Sequence, residues 1–301
     1  MTLFSLSQPL TISDIDLAIS VLFSLLTDSD SYVYLNVLSA ISALADTSRK
    51  TVFTALLLGF SEDGDVPVRV DGAGTTVGPF SMRNRALLAE ALAVVLRRAG
   101  AAAPPFIPGL VAACVKVART RPSTADAALV DSAIDLRTNR VTCRQDGEES
   151  PTDVDAAVAV ADCAILRQSA LSLLAEAVVL AGWSANAPST RLIDVVDIAT
   201  GVLSMETASS QAATSCRRSA AFLLRHLISG LGAKLIQMDN GGLYLKEAYR
   251  TLKLSIGDRD NVVQFHSMAA LGALDEMMRG QIFFSEAQLR GDNVPKIDIF
   301  R

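Results

Sequence analysis

The stretch best placed to do chemistry is Gly72-Ala73-Gly74-Thr75-Thr76-Val77-Gly78. It follows alternating Val66, Val68 and Val70 and precedes a helical sequence. A strand, a Gly-rich loop and a helix N-terminus can cradle a phosphate, because unpaired backbone N–H groups point at the anion. The spacing is G-x-G-x-x-x-G, not G-x-G-x-x-G, and no parallel strands follow to hold a dinucleotide. Glu62–Pro79 is therefore read as an insertion in a helical repeat, either a short hairpin or a flexible excursion.

Both histidines have similarly bland readings. His266 is in phase with Val263 and Ala270 on one helical face and is expected in the core. His226 sits beside Arg225 on a helix flank, and no Ser, Cys or carboxylate stands in a triad relation to either. The acid pairs Asp28/Asp30 and Asp258/Asp260 suit helix caps better than general acids. The four cysteines, Cys114, Cys143, Cys163 and Cys216, include no C-x-x-C pair. They read as reduced thiols of an intracellular protein, with no metal site. No cofactor and no catalytic residue is expected.

Arginines are the remaining candidates. Arg83, Arg85, Arg97 and Arg98 fall on one predicted helix, Arg167 on a second, and Arg217, Arg218 and Arg225 on a third. Each is the second helix of a helix pair, and in HEAT-like stacks second helices line the concave side. One reading pairs these cations with aspartates of the neighbouring unit, and it is preferred. The other makes Arg83, Arg97, Arg167, Arg217, Arg218 and Arg225 partner-binding residues.

The elements that would position them are amphipathic helices. Ser13 is expected to cap a helix over about 14–27, and Asp28-Ser29-Asp30 separates it from Ser31–Ala45. Asp46-Thr47 breaks again before Thr51–Phe60. Helices follow over Ser81–Ala99, from the Pro104/Pro105/Pro108 cluster to Arg119, and over about Val158–Ala181. Leu192–Leu203 and Arg217–Leu231 come next, with Met205–Ala213 as a loop. Leu245–Leu252 ends at Gly257, read as a left-handed C-cap, and Asp258 is read as the cap of the last helix.

Pairing these elements gives an all-α chain: an α-solenoid of about five HEAT/armadillo-like units over 13–46, 48–99, 104–182, 190–231 and 242–280. The expected segments are 1–120, an irregular acidic insertion at 121–157, a second repeat segment at 158–284 and a tail at 285–301. Arg140–Asp155 reads as disordered or loosely ordered. Glu62–Pro79, Arg121–Asp155 and Met205–Ala213 all fall between the two helices of a unit, so they are expected along one edge.

Composition agrees with packed helices. Hydrophobic residues make up 50% of the 301 residues and aromatics 5%. A net charge of −5 argues against a broad nucleic-acid surface. Asp162, Glu90 and Glu176 interrupt the longest apolar runs, so no transmembrane span is expected, and Met1–Leu10 lacks the positive region of a secretory signal.

Four segments carry a resemblance: DSDSYVYLNVLSAISALAD at 28–46, LRQSALSLLAEAVVLAG from Leu166, CRRSAAFLLRHLISGLGAKLIQ from Cys216 and DNVVQFHSMAALGALDEMM from Asp260. They resemble the C-terminal helical-repeat segments of a eukaryotic family whose fungal members are named as required for nuclear transport of RNA polymerase II. Its animal members are called transport and Golgi organisation protein six. The resemblance covers about two thirds of the chain, and family members are much longer. It implies a non-catalytic scaffold or adaptor in assembly or nuclear import of RNA polymerase II, cytoplasmic and shuttling to the nucleus. Polymerase subunits, nuclear-pore components or assembly chaperones would be the partners. The same resemblance supports, as the second reading, a peripheral factor in protein secretion and Golgi organisation.

Overall fold

A computed structural model describes residues 11–28, 30–61, 68–69, 76–77, 80–120, 151–181, 189–205, 211–231, 235 and 243–288. They form nine α-helices: α1 (Ile12–Leu25), α2 (Ser31–Ser61), α3 (Met82–Ala99), α4 (Ile107–Ala118), α5 (Pro151–Ala181), α6 (Ser189–Met205), α7 (Gln211–Leu231), α8 (Leu243–Ser255) and α9 (Asn261–Gln288). Among the described residues the chain is all-α apart from an antiparallel ladder of two residues per strand, β1 (Val68–Arg69) with β2 (Thr76–Val77), in the register Val68↔Val77. That ladder takes the hairpin option for the Gly-rich insertion, whose glycines lie outside the described residues.

The chain divides into two compact units, Met1–Gly109 and Leu110–Arg301. In the first, α1 packs on α2 and α2 on α3. Ile19, Phe23, Ile41, Phe53, Leu56, Phe60, Leu88 and Leu92 are all buried there. Each such side chain contributes about 1.5–3 kcal/mol through apolar area removed from water. Phe23 meets Phe80 edge-on with centroids 5.8 Å apart, and Phe53 lies 4.7 Å from Phe106.

Several expected boundaries move, each for a local reason. Thr11, not Ser13, caps α1: its hydroxyl accepts from the Asp14 N–H at 3.2 Å, and the Asp14 carboxylate accepts from the Thr11 N–H at 3.0 Å. That reciprocal box satisfies two free N–H groups at once. The break after Ala45 falls at Ser48, where φ −138° and ψ 50° kink α2 without ending it. Pro151 opens α5 seven residues before Val158, because a proline at the first helical position sacrifices no hydrogen bond. Helix α9 continues through Gly280 to Gln288, since an interior glycine weakens a helix by only about 1 kcal/mol.

In the second unit α7 lies between α5 and α9, while α6 packs on α8. Helix α6 also contacts α7, and α8 contacts α9. The result, within this unit, is two layers: α5, α7 and α9 against α6 and α8. Ala220, Leu223, Leu224 and Leu227 of α7 have no exposed surface. Their i, i+3, i+4, i+7 spacing is the stripe that reads as amphipathic in the sequence. Side-chain contacts recur at separations near one repeat: Cys216 on the Ala164 carbonyl (52 residues), Ser172 with Ser219 (47), Arg217 with Asp258 (41). The three insertions expected along one edge lie largely outside the described residues.

One apolar stretch is longer than expected. Val158–Val179 of α5 has a mean hydropathy of 1.5 and is long and apolar enough to cross a membrane. Its interrupting charges are too sparse to lower the average. In this structure its face with Leu166, Ala170, Leu171, Leu173 and Leu174 is buried, and α5 packs on α7.

Candidate functional site

Among the described residues the richest constellation of charged and aromatic side chains lies where α7 meets α9 and the turn before it. Helix α8 ends without a left-handed residue. The N–H groups of Gly257 and Asp258 reach back to Leu254 O (3.0 Å) and Ser255 O (3.2 Å) in tight turns. Among the described glycines the positive φ is at Gly100 (48°), so the expected left-handed cap at Gly257 is corrected. The cap of α9 is also displaced. Asp260, not Asp258, accepts from the N–H groups of Val262 and Val263, both at 3.1 Å. Asp258 Oδ1 accepts from the Asp260 N–H at 2.8 Å and holds that cap in place.

Two arginines of α7 grip this turn. Arg217 Nε donates to Asp258 Oδ2 at 2.9 Å, with the two side chains only 8% and 13% exposed. Arg218 binds Asp260 with both ends of its fork, Nε to Oδ1 at 3.0 Å and Nη2 to Oδ2 at 2.6 Å. A planar guanidinium suits this bidentate geometry where an ammonium does not. The Arg218 hydrogen bonds first, then the backbone of Val263, the Arg218 charge and the backbone of Val262, bring the Asp260 carboxyl down to about 2.

About two turns further along α7, the character changes. Arg225 Nη1 lies 3.3 Å from His266 Nδ1, and its guanidinium stands over the Phe265 ring at 5.2 Å. Phe222 meets both imidazoles edge-on, His226 at 4.3 Å and His266 at 5.2 Å. Burial chiefly, and then the Arg225 charge, push both histidines below their ordinary range; His226 adds to the effect on His266. This direction favours the neutral imidazole, in which His266 Nδ1 can accept from Arg225. Phe265 and Met268 beside them are 55% and 51% exposed.

His266 is thus half-buried and not in the core. Among the described residues the buried positions of α9 are Val263, Ser267, Ala270 and Leu274, and residue 266 falls at the edge of that face. No carboxylate pairs with Arg225 among the described residues. An Arg, two exposed apolar side chains and a Phe between imidazoles form a patch that can hold a protein surface but lack a nucleophile and a base in line.

The other candidates are dispersed. Arg167 Nε donates to the Ala118 carbonyl at 3.3 Å, closing the C-terminal end of α4. Buried Arg85 does the same for α2 through Phe60 O at 2.9 Å. Cations at helix C-termini are favoured by the dipole as well as by the orphan carbonyls. Arg83 and Arg97 are exposed on α3. The pairs Arg98–Asp46 and Arg119–Asp194 were not anticipated individually. A search one repeat period away from each arginine would have pointed toward the first. Cys114, Cys163 and Cys216 are buried free thiols, and burial raises the Cys114 thiol far above its usual range. Cys143 lies outside the described residues. Among the described residues no three His, Cys, Asp or Glu side chains gather to hold a metal ion.

No curated protein and no solved structure matches this chain. Residues 2–102 match the protein-family model described as "Required for nuclear transport of RNA pol II C-terminus 1", so the resemblance read from the sequence to that family is borne out over this segment.

Proposed function

We propose that this chain is a non-catalytic helical-repeat scaffold that acts in nuclear transport of RNA polymerase II by holding protein partners. The observation that carries the reading is the family match over residues 2–102. The two-layered packing of α5–α9 supports it, because helices stacked at a regular period present long outer surfaces. The patch of half-buried Arg225 with exposed Phe265 and Met268 has the composition of a protein contact: Arg, aromatic and Met side chains are enriched in interfaces. In this reading the two units belong to one solenoid of HEAT-like pairs. The protein works in the cytoplasm and shuttles to the nucleus, and polymerase subunits or their import and assembly factors are its partners.

Affinity purification of the tagged chain tests this. Polymerase II subunits should dominate, and Arg225→Glu with Phe265→Ser should reduce their recovery at unchanged melting temperature. Recovery of coat and Golgi proteins in their place would overturn the transport reading.

A further inference from the structure

The turn gripped by Arg217 and Arg218 has an open copy earlier in the chain. Asp28 Oδ1 accepts from the Asp30 N–H at 2.9 Å, and Asp30 Oδ1 accepts from the Tyr32 N–H at 2.8 Å. Asp258 Oδ1 and Asp260 Oδ1 do the same for Asp260 and Val262, at 2.8 and 3.1 Å. Both turns are D-x-D sequences between the two helices of a pair. They differ in what covers them. The Asp258 and Asp260 side chains are 13% and 14% exposed beneath their arginines. Asp28 and Asp30 are exposed, and no cation is bonded to either among the described residues.

The difference extends into the helices. With the turns in register, Ala248, Thr251, Leu252 and Ser255 of α8 fall on Ala18, Val21, Leu22 and Leu25 of α1. All four α8 positions are buried, and α8 packs on α6. On α1, Val21 is 49% and Leu25 38% exposed, and Ala18 and Leu22 are half-buried. Val263 and Ala270 of α9, fully buried in a helix that packs on α7, fall on half-buried Val33 and exposed Ala40 of α2. Ile15 and Val37, which match buried Leu245 and Ser267, stay buried, so the α1–α2 pair bares part of the face that a preceding pair covers in the second unit, and on α1 the bared positions are apolar.

We infer that this α1–α2 face is a docking surface for a partner helix bearing two adjacent arginines beside an apolar stripe. That is the chemistry α7 presents to the α8–α9 turn. The arginines would take the second oxygens of Asp28 and Asp30, and the stripe would cover Val21, Leu25 and Ala40. Two carboxylates in the turn beside an apolar strip select a cationic helix and repel a polyanion, so nucleic acid does not fit. The inference does not depend on the transport reading.

The test is binding of a labelled peptide with the sequence Gln211–Leu231 to the full chain, followed by anisotropy. Saturable binding is expected. The peptide carrying Arg217→Glu and Arg218→Glu should bind at least about tenfold more weakly, since two charge-assisted pairs become repulsions. The Asp28→Asn/Asp30→Asn chain should lose affinity similarly at unchanged melting temperature, because Asn keeps the oxygen that caps α2. No binding by the wild-type chain, or equal binding by the Asn variant, would overturn the inference. So would sedimentation showing a dimer of this chain that dissociates in the Asn variant, which would make a second copy the occupant. Failure of the polymerase purification would leave this result untouched.

Discussion

Replacing Arg217 by Ala should destabilise the second unit by about 3 kcal/mol. Its guanidinium and the Asp258 carboxylate are both close to fully buried, at 8% and 13% side-chain exposure, and meet at 2.9 and 3.4 Å. Removing one partner of a buried pair typically loses about 3–5 kcal/mol, because the other charge is left without compensation. The lower end applies, since Asp258 still accepts from the Asp260 N–H at 2.8 Å. For a unit of this size about 3 kcal/mol corresponds to a melting-temperature drop of about 6–12 °C. Urea denaturation of wild type, Arg217→Ala, Asp258→Ala and the double variant would measure it. The double variant should be less destabilised than the sum of the singles by about 2 kcal/mol, because both remove the same contact. A loss below about 1 kcal/mol, or singles that add within about 0.5 kcal/mol, would refute the buried-pair account and return Arg217 to the pool of partner-binding cations.

Other outcomes follow from local geometry. Gly59→Ala would place a Cβ 2.8 Å from Leu88 Cδ1 and 3.1 Å from Phe80 Cε2. Leu88 is buried and cannot step aside, so a loss of about 1–3 kcal/mol is expected in thermal unfolding of the first unit. Gly272→Ala on α9 meets nothing within 4 Å and should gain about 0.5–1 kcal/mol in thermal unfolding of the second unit. Asp260 has its folded pKa near 2, below the ordinary 3.8, so its contribution is fully present above about pH 4 and is lost as pH falls toward 2. In that window the unfolding free energy of Asp260→Asn should fall less steeply with acid than that of wild type. Thr11→Ala should weaken α1 by about 1 kcal/mol, read as faster amide exchange in its first turn.

Much of the helical order was legible because a stripe of Leu, Ala and Val at helical spacing has no other stable outlet. The α7 stripe from Ala220 to Leu231 and the buried Leu245, Ala248 and Leu252 of α8 are placed as periodicity predicts. Ends were less legible. Thr11, Ser48, Pro151 and Gln288 displace the expected boundaries of four helices. Each depends on a cap, a kink or an interior glycine whose effect is a kilocalorie or less, too small to stand out against neighbouring options. His266 was misplaced because its phase is only a partial turn from the core face. That small rotation moves it from Ala270 and Leu274 to Arg225 and Phe222.

What the chain alone determined is the set of amphipathic rods and the residue types at their joints: D-x-D turns, adjacent arginines, a family-like segment over 2–102. These are local properties, set by side-chain volume, polarity and backbone preference within a few residues. Tertiary packing decided which joints are closed. It placed Arg217 and Arg218 on one D-x-D turn and left Asp28 and Asp30 of the other exposed. It also kept Arg225 away from any carboxylate among the described residues. Charge pairing is set by distance in space, and helices one repeat apart in sequence meet only when their apolar faces are buried together.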